Sequence, residues 1–172
     1  MNRQAARVGI LGGESTGKST LAAALAAHYE TIWVPEYLRE FVETAQRTPH
    51  AHEQFNIASE QVERERAALV DAAGFLFCDT TPRMTAAYSR YYFGDVDAAL
   101  HALAQTHTYD FTIVTAPTNP WVGDGLQRDS DAARQAVHAI VVQSLQEAGI
   151  PFLLVDGDLQ QRVQQAVDYL HV

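Results

Sequence analysis

The residues best suited to chemistry lie in one run, Gly12-Gly13-Glu14-Ser15-Thr16-Gly17-Lys18-Ser19, followed by Thr20 and an Ala/Leu-rich stretch to Ala27. The spacing G-x-x-x-x-G-K-[ST] after the apolar Val8-Gly9-Ile10-Leu11 is that of a phosphate loop joining a strand to a helix. Glycines at 12, 13 and 17 let the backbone turn so that successive N–H groups and the helix N-terminus converge on anionic oxygens. Residues 12–20 are therefore read as the cradle of a nucleoside triphosphate, with Lys18 reaching its β- and γ-phosphates and the Ser19 hydroxyl taking a Mg²⁺ position. Lys18 is the only lysine among 12 basic residues. The compact ammonium appears where a phosphate loop uses one.

A triphosphate needs an acceptor, and three further places supply candidates. Glu36 and Arg39 follow the strand-like Thr31-Ile32-Trp33-Val34, which Pro35 terminates. Ligands gather at strand carboxyl ends in parallel α/β sheets, although a solvated helix start accounts for the same pair equally well. Asp79 ends the continuous apolar run Gly74-Phe75-Leu76-Phe77-Cys78 and is placed to hold Mg²⁺ or orient an accepting hydroxyl. It also suits the N-cap of the helix starting near Thr81-Pro82, and the two roles are compatible. The Pro/Gly-rich stretch 117–129 reads as a loop after the strand Phe111–Thr115, carrying Trp121 as a stacking face. Arg128, or Arg134 on the next helix, is placed to swing onto a transferring phosphoryl group. Gly157, after the last strand Pro151–Val155, is a candidate on the side of the nucleotide base.

Positioning these groups requires alternating strands and helices. The chain predicts a strand at 7–11, a helix from Lys18 to about Tyr29, the strand 31–34, and a helix from Glu53 to Ala73. The strand 74–79, a helix from about 81, the strand 111–115, a helix from Asp131 to Ala148 capped by Gly149, the strand 151–155 and a helix from Leu159 to Leu170 complete it. The charged run on the 53–73 helix, with Gln61 among it, is read as a solvated face. Of the aromatics Tyr88, Tyr91, Tyr92 and Phe93, one is assigned to a pocket, because adjacent tyrosines cannot share a helical face. This order predicts an α/β P-loop NTPase fold, a single domain over 1–172 with a parallel five-stranded sheet flanked by helices.

Composition narrows the function. The chain has 172 residues, 47% of them hydrophobic, and a formal charge of -9 that argues against a general nucleic-acid surface. The segment before the first strand is too short for a signal peptide or membrane span, so a cytoplasmic protein is expected. Cys78 is the single cysteine and is assigned to the core, and Pro49-His50-Ala51-His52 lacks metal-ligand spacing. A signalling GTPase would carry an Asn-Lys-x-Asp motif, for which no lysine is available. Chemistry on a small molecule suits the size.

The motifs together resemble the ribosylnicotinamide kinase domain family of NadR and related stand-alone ATPase-like proteins. The resemblance rests on residues 12–20, on Val34-Pro35-Glu36-Tyr37-Leu38-Arg39-Glu40, on Cys78-Asp79-Thr80 and on Trp121-Val122-Gly123-Asp124-Gly125-Leu126. It implies transfer of phosphate from ATP, with Mg²⁺, to the 5′-hydroxyl of nicotinamide riboside, giving nicotinamide mononucleotide. Glu36, Tyr37 and Asp79 would then serve the acceptor, and Trp121 and Asp124 the riboside and lid. Two positions depart from the family pattern: Thr81 stands where a second aspartate is common, and Gln127 separates Leu126 from Arg128. Phosphorylation of another nucleoside or small metabolite, and a non-catalytic ATP-binding regulatory module, are the alternatives. No His-x-x-His nucleotidyl-transfer motif occurs, so no second step is expected. The sequence assigns no oligomeric state.

Overall fold

In the computed structural model the described residues are 4–123 and 130–171. Five strands, β1 (Ala6–Leu11), β2 (Trp33–Val34), β3 (Phe75–Asp79), β4 (Phe111–Thr115) and β5 (Leu153–Val155), form one sheet in the order β2-β3-β1-β4-β5. Every pairing is parallel. Seven α-helices flank it among the described residues: α1 (Lys18–His28), α2 (Tyr37–Ala45), α3 (Gln54–Ala68), α4 (Pro82–Phe93), α5 (Ala98–Thr106), α6 (Asp131–Glu147) and α7 (Leu159–Leu170). With β1 central between β3 and β4, the loops leaving the carboxyl ends of these three strands meet at one edge, where open α/β sheets bind ligands.

Alternation along the strands divides the core. Val8, Ile10, Phe77 and Ile113 pack with Leu21 and Leu25 of α1 and Ala166 and Leu170 of α7. Leu11 and Val114 face the other way, against Met84 and Tyr88 of α4 and Val137, Val141 and Leu145 of α6. Leu76 and Cys78 pack beneath the end of α3. Burial of the Cys78 thiol pushes its pKa well up, so it is an inert core residue.

Several elements differ from the sequence expectations. Strand β2 pairs only at Trp33 and Val34, because the Thr31 hydroxyl donates to Phe75 O at 2.8 Å and accepts from Ala73 N at 2.9 Å, closing a corner before the ladder begins. Helix α3 ends at Ala68 rather than Ala73. Helix α5 is additional, capped by the Asp97 carboxylate and held by buried Leu100 and Ala104 at i, i+4 spacing. No helix among the described residues is long and apolar enough to cross a membrane.

Candidate active site

The phosphate loop is held in shape by contacts within the chain. Gly12 has φ of 159°, and a Cβ there would lie 2.0 Å from the Thr115 hydroxyl and 2.7 Å from that of Thr16. Those two hydroxyls are themselves 2.7 Å apart, and Thr16 donates to Gly13 O at 2.7 Å, so the loop is tied to the end of β4. Ser15 (φ 59°) and Gly17 (φ 86°) adopt the left-handed conformation on either side of Thr16, the alternation that turns amides into an anion-binding concavity. Gly17 is the N-cap of α1, whose positive end adds to it. Lys18, 6% exposed, rests its ammonium on Gly13 O at 3.2 Å. Residues 14–20 line a cavity of about 250 Å³, faced by Glu36, Arg39, Tyr88 and Asn119. Glu36 and Arg39 thus stand opposite the loop, and Tyr88 is the aromatic of α4 that reaches it, while Tyr91, Tyr92 and Phe93 are exposed.

Asp79 is fully buried at the end of β3, and its Oδ2 accepts from the Ser19 hydroxyl at 2.5 Å. Its Oδ1 is buried without a hydrogen-bond partner. A buried carboxylate oxygen left unspent beside a hydroxyl is a hard-oxygen donor pair suited to Mg²⁺, which typically takes one or two carboxylates plus substrate phosphates. Among the described residues no group of three His, Cys, Asp or Glu side chains is placed to hold a metal ion. The N-cap of α4 is Thr81, whose Oγ1 accepts from Met84 N at 3.3 Å, so Asp79 does not cap that helix. Thr80 between them is left-handed (φ 81°), a costly conformation for a β-branched residue, held by its N–H on Ile10 O at 3.0 Å. Strain of this kind concentrates at functional sites.

Gln61 of α3, read as part of a solvated face, is instead 2% exposed and joins the segment around Glu36 to the end of β3. Its Oε1 accepts from Tyr37 N at 2.8 Å and its Nε2 donates to Pro35 O at 3.1 Å and towards Asp79 O at 3.5 Å. One amide therefore brackets Glu36 on both sides and serves the uncapped start of α2. The Tyr37 ring lies under the Arg64 guanidinium, 4.6 Å away, and Arg64 pairs with Glu40 and Glu60. Tyr37 thus packs on α3 and does not line the cavity.

Beyond β4, Asn119 donates to Ser15 O at 2.7 Å and Val122 N donates to the Ser15 hydroxyl at 3.0 Å, which brings the start of the 117–129 loop onto the phosphate loop. The Trp121 indole N–H is buried without a partner. Arg134 does not swing freely: it is 3% exposed, bonded to Asp131, Ser15 O and Asn119 O, and lies against the backbone of the phosphate loop rather than over the cavity. Gly157 lies outside the cavity lining, its carbonyl accepting from Arg162 Nε at 2.9 Å. Asp124, Gln127 and Arg128 lie outside the described residues.

The chain is similar to several known proteins. A family described as AAA domain matches residues 7–162. The trifunctional NAD biosynthesis/regulator protein NadR of Salmonella typhimurium is 32% identical over 167 residues, covering 94% of this chain and 41% of the relative. The chain thus spans about two-fifths of that protein's length. A crystal structure of NadR protein in complex with NR superposes with a TM-score of 0.81 at 21% identity, over 97% of this chain and 49% of that one. Deoxyadenosine kinase from M. mycoides with bound dCTP superposes at 0.60 and 12% identity, over 96% and 98% of the two chains. The two solved structures share this chain's fold.

Proposed function

We propose that this chain, which belongs to the AAA domain family over residues 7–162, is an ATP-dependent kinase that phosphorylates the 5′-hydroxyl of nicotinamide riboside to give nicotinamide mononucleotide. The observation that carries the reading is the shared cavity: phosphate-loop residues 14–20 and the acceptor candidates Glu36 and Arg39 face one another across about 250 Å³. Similarity to NadR, and to a NadR protein crystallised with NR, supplies the acceptor.

The loop amides and Lys18 hold the triphosphate, the ammonium moving from Gly13 O onto phosphate oxygens. Ser19 and Asp79 would hold Mg²⁺, which neutralises charge that builds on the phosphates during transfer. Glu36 orients the riboside 5′-hydroxyl and takes its proton as the new O–P bond forms and the bond from the γ-phosphorus to the bridging oxygen breaks, leaving ADP. Glu36 is assigned to the acceptor because it lines the cavity opposite the phosphate loop, and Asp79 to the metal because its carboxylate meets the Ser19 hydroxyl. Arg39 lines the same cavity and is assigned to the riboside, and Trp121, which is not among the residues lining that cavity, is assigned to the cationic pyridinium through its ring. Asp124 and Arg128, which follow Trp121 in the sequence, are proposed for the riboside and the transferring phosphoryl group. Gly157 is proposed for the base side. The reaction is assigned to this domain and to the cytoplasm.

Purified protein given ATP, Mg²⁺ and a panel of nucleosides is expected to consume nicotinamide riboside with the highest kcat/KM. Preferential phosphorylation of a purine or pyrimidine nucleoside would overturn the acceptor assignment.

A further inference from the structure

Two buried arginines hold consecutive carbonyls of the phosphate loop from behind. Arg162, in the first turn of α7 and 4% exposed, donates from Nη1 to Thr16 O at 2.6 Å, from Nη2 to Ala116 O at 3.0 Å and from Nε to Gly157 O at 2.9 Å. Arg134, in the first turn of α6, donates from Nη1 to Ser15 O at 3.0 Å and from Nη2 to Asn119 O at 2.8 Å. Arg134 has Asp131 as a counter-ion, but Arg162 takes part in no ion pair among the described residues. Burial accordingly draws the Arg162 pKa below the ordinary guanidinium value. Placing a cation there is costly unless its hydrogen bonds are well used, and all three of its acceptors are main-chain carbonyls around the nucleotide end of the sheet.

Peptide geometry says what that accomplishes. There are no cis peptide bonds among the described residues, so the Ser15 carbonyl and the Thr16 N–H lie in one plane and point opposite ways, as do the Thr16 carbonyl and the Gly17 N–H. Among the described residues neither of these N–H groups has a hydrogen-bond acceptor. We propose that Arg134 and Arg162 are positioning residues which, by anchoring the Ser15 and Thr16 carbonyls, aim the Thr16 and Gly17 N–H groups into the cradle and polarise both peptides towards the terminal phosphates. Arg162 also ties that loop to the end of β4 and to the Gly157 turn, so the three surfaces keep one arrangement. Neither guanidinium needs to touch the nucleotide. Electrostatic catalysis and anion binding both gain from donors oriented in advance.

The inference rests only on the nucleotide half of the proposed function. Binding of Mg–AMP-PNP and of AMP is measured by calorimetry for the unaltered protein, Arg162→Met, Arg162→Lys and Arg134→Lys, with the unfolding midpoint of each. Arg162→Met is expected to weaken AMP-PNP binding by about ten- to a hundredfold and AMP binding by less than about threefold. The lysine variants, whose single ammonium reaches fewer carbonyls, are expected to fall between, and they carry the test if Arg162→Met does not fold. An AMP-PNP to AMP affinity ratio equal to that of the unaltered protein, with or without a lowered midpoint, would overturn the proposal and leave both arginines as packing residues. A protein that binds AMP-PNP yet leaves nicotinamide riboside unmodified refutes the acceptor assignment alone, and the ratio still decides this one.

Discussion

Replacing Gln61 by leucine removes the amide that brackets Glu36 while nearly keeping the side-chain volume. Two hydrogen bonds of ordinary length, 2.8 Å from Tyr37 N and 3.1 Å to Pro35 O, are lost, and the contact at 3.5 Å to Asp79 O adds little. At about 1 kcal/mol for each bond, plus a penalty for stranding the first free N–H of α2, the expected loss of stability is about 3 kcal/mol. For a chain of this length that corresponds to a drop of roughly 6–12 °C in Tm. The kinetic effect is separable. Freed from its bracket, Glu36 moves relative to the phosphate loop, so kcat/KM for nicotinamide riboside is expected to fall about tenfold or more while KM for ATP holds. Gln61→Glu refines the test, since its carboxylate still accepts from Tyr37 N but cannot donate to Pro35 O. Differential scanning fluorimetry and steady-state kinetics with each substrate varied give both numbers. A Gln61→Leu protein with unaltered Tm and acceptor kinetics would refute the idea that this amide positions Glu36.

Three other perturbations follow from the same geometry. Gly12→Ala places a methyl 2.0 Å from the Thr115 hydroxyl, and is expected to cost at least about 2 kcal/mol of stability and to abolish the thermal stabilisation that AMP-PNP confers. Asp79→Asn keeps an acceptor for the Ser19 hydroxyl but removes the anion, and kcat should fall by about a hundredfold or more, with a steeper Mg²⁺ dependence in a magnesium titration. Glu53, held by Arg47 and the His50 N–H, has its pKa lowered to about 2. Because the folded value lies below the unfolded one, its contribution is present above the ordinary carboxylate range and is lost as pH falls through about 2. Carbon-detected NMR titration should place it there, and Arg47→Ala should return it towards the ordinary range.

How much of this was legible in the sequence depends on whether a role is local. The phosphate loop is contiguous, so its eight residues and the flanking strand and helix could be read directly. The position of Asp79 was legible because an apolar run long enough for a buried parallel strand delivers its last residue to the carboxyl edge of the sheet. Residue type and spacing divide Glu36 and Arg39 evenly between site and surface, whereas in the folded chain both line the phosphate-loop cavity. Gln61, Arg134 and Arg162 were not legible in their present roles, since each reaches carbonyls of distant segments, up to 26, 119 and 146 residues away respectively. Gln61 sits beside a genuine charged face, occupied by Arg64 with Glu40 and Glu60, and one-dimensional patterning merges the two. A signal for Arg162 did exist: it stands four residues after Asp158, the N-cap of α7, where a cation gains nothing from the helix dipole. Thr81, which departs from the common acidic pattern, has a local role as the cap of α4.

The central claim, that one cavity joins a triphosphate cradle to a riboside acceptor, is tested most directly by ³¹P NMR of the protein with ATP, Mg²⁺ and nicotinamide riboside. The account predicts ADP and a new 5′-phosphomonoester appearing in equal amounts, with no inorganic phosphate in excess of the riboside-free control. ADP and inorganic phosphate accumulating while the riboside remains unmodified would contradict it.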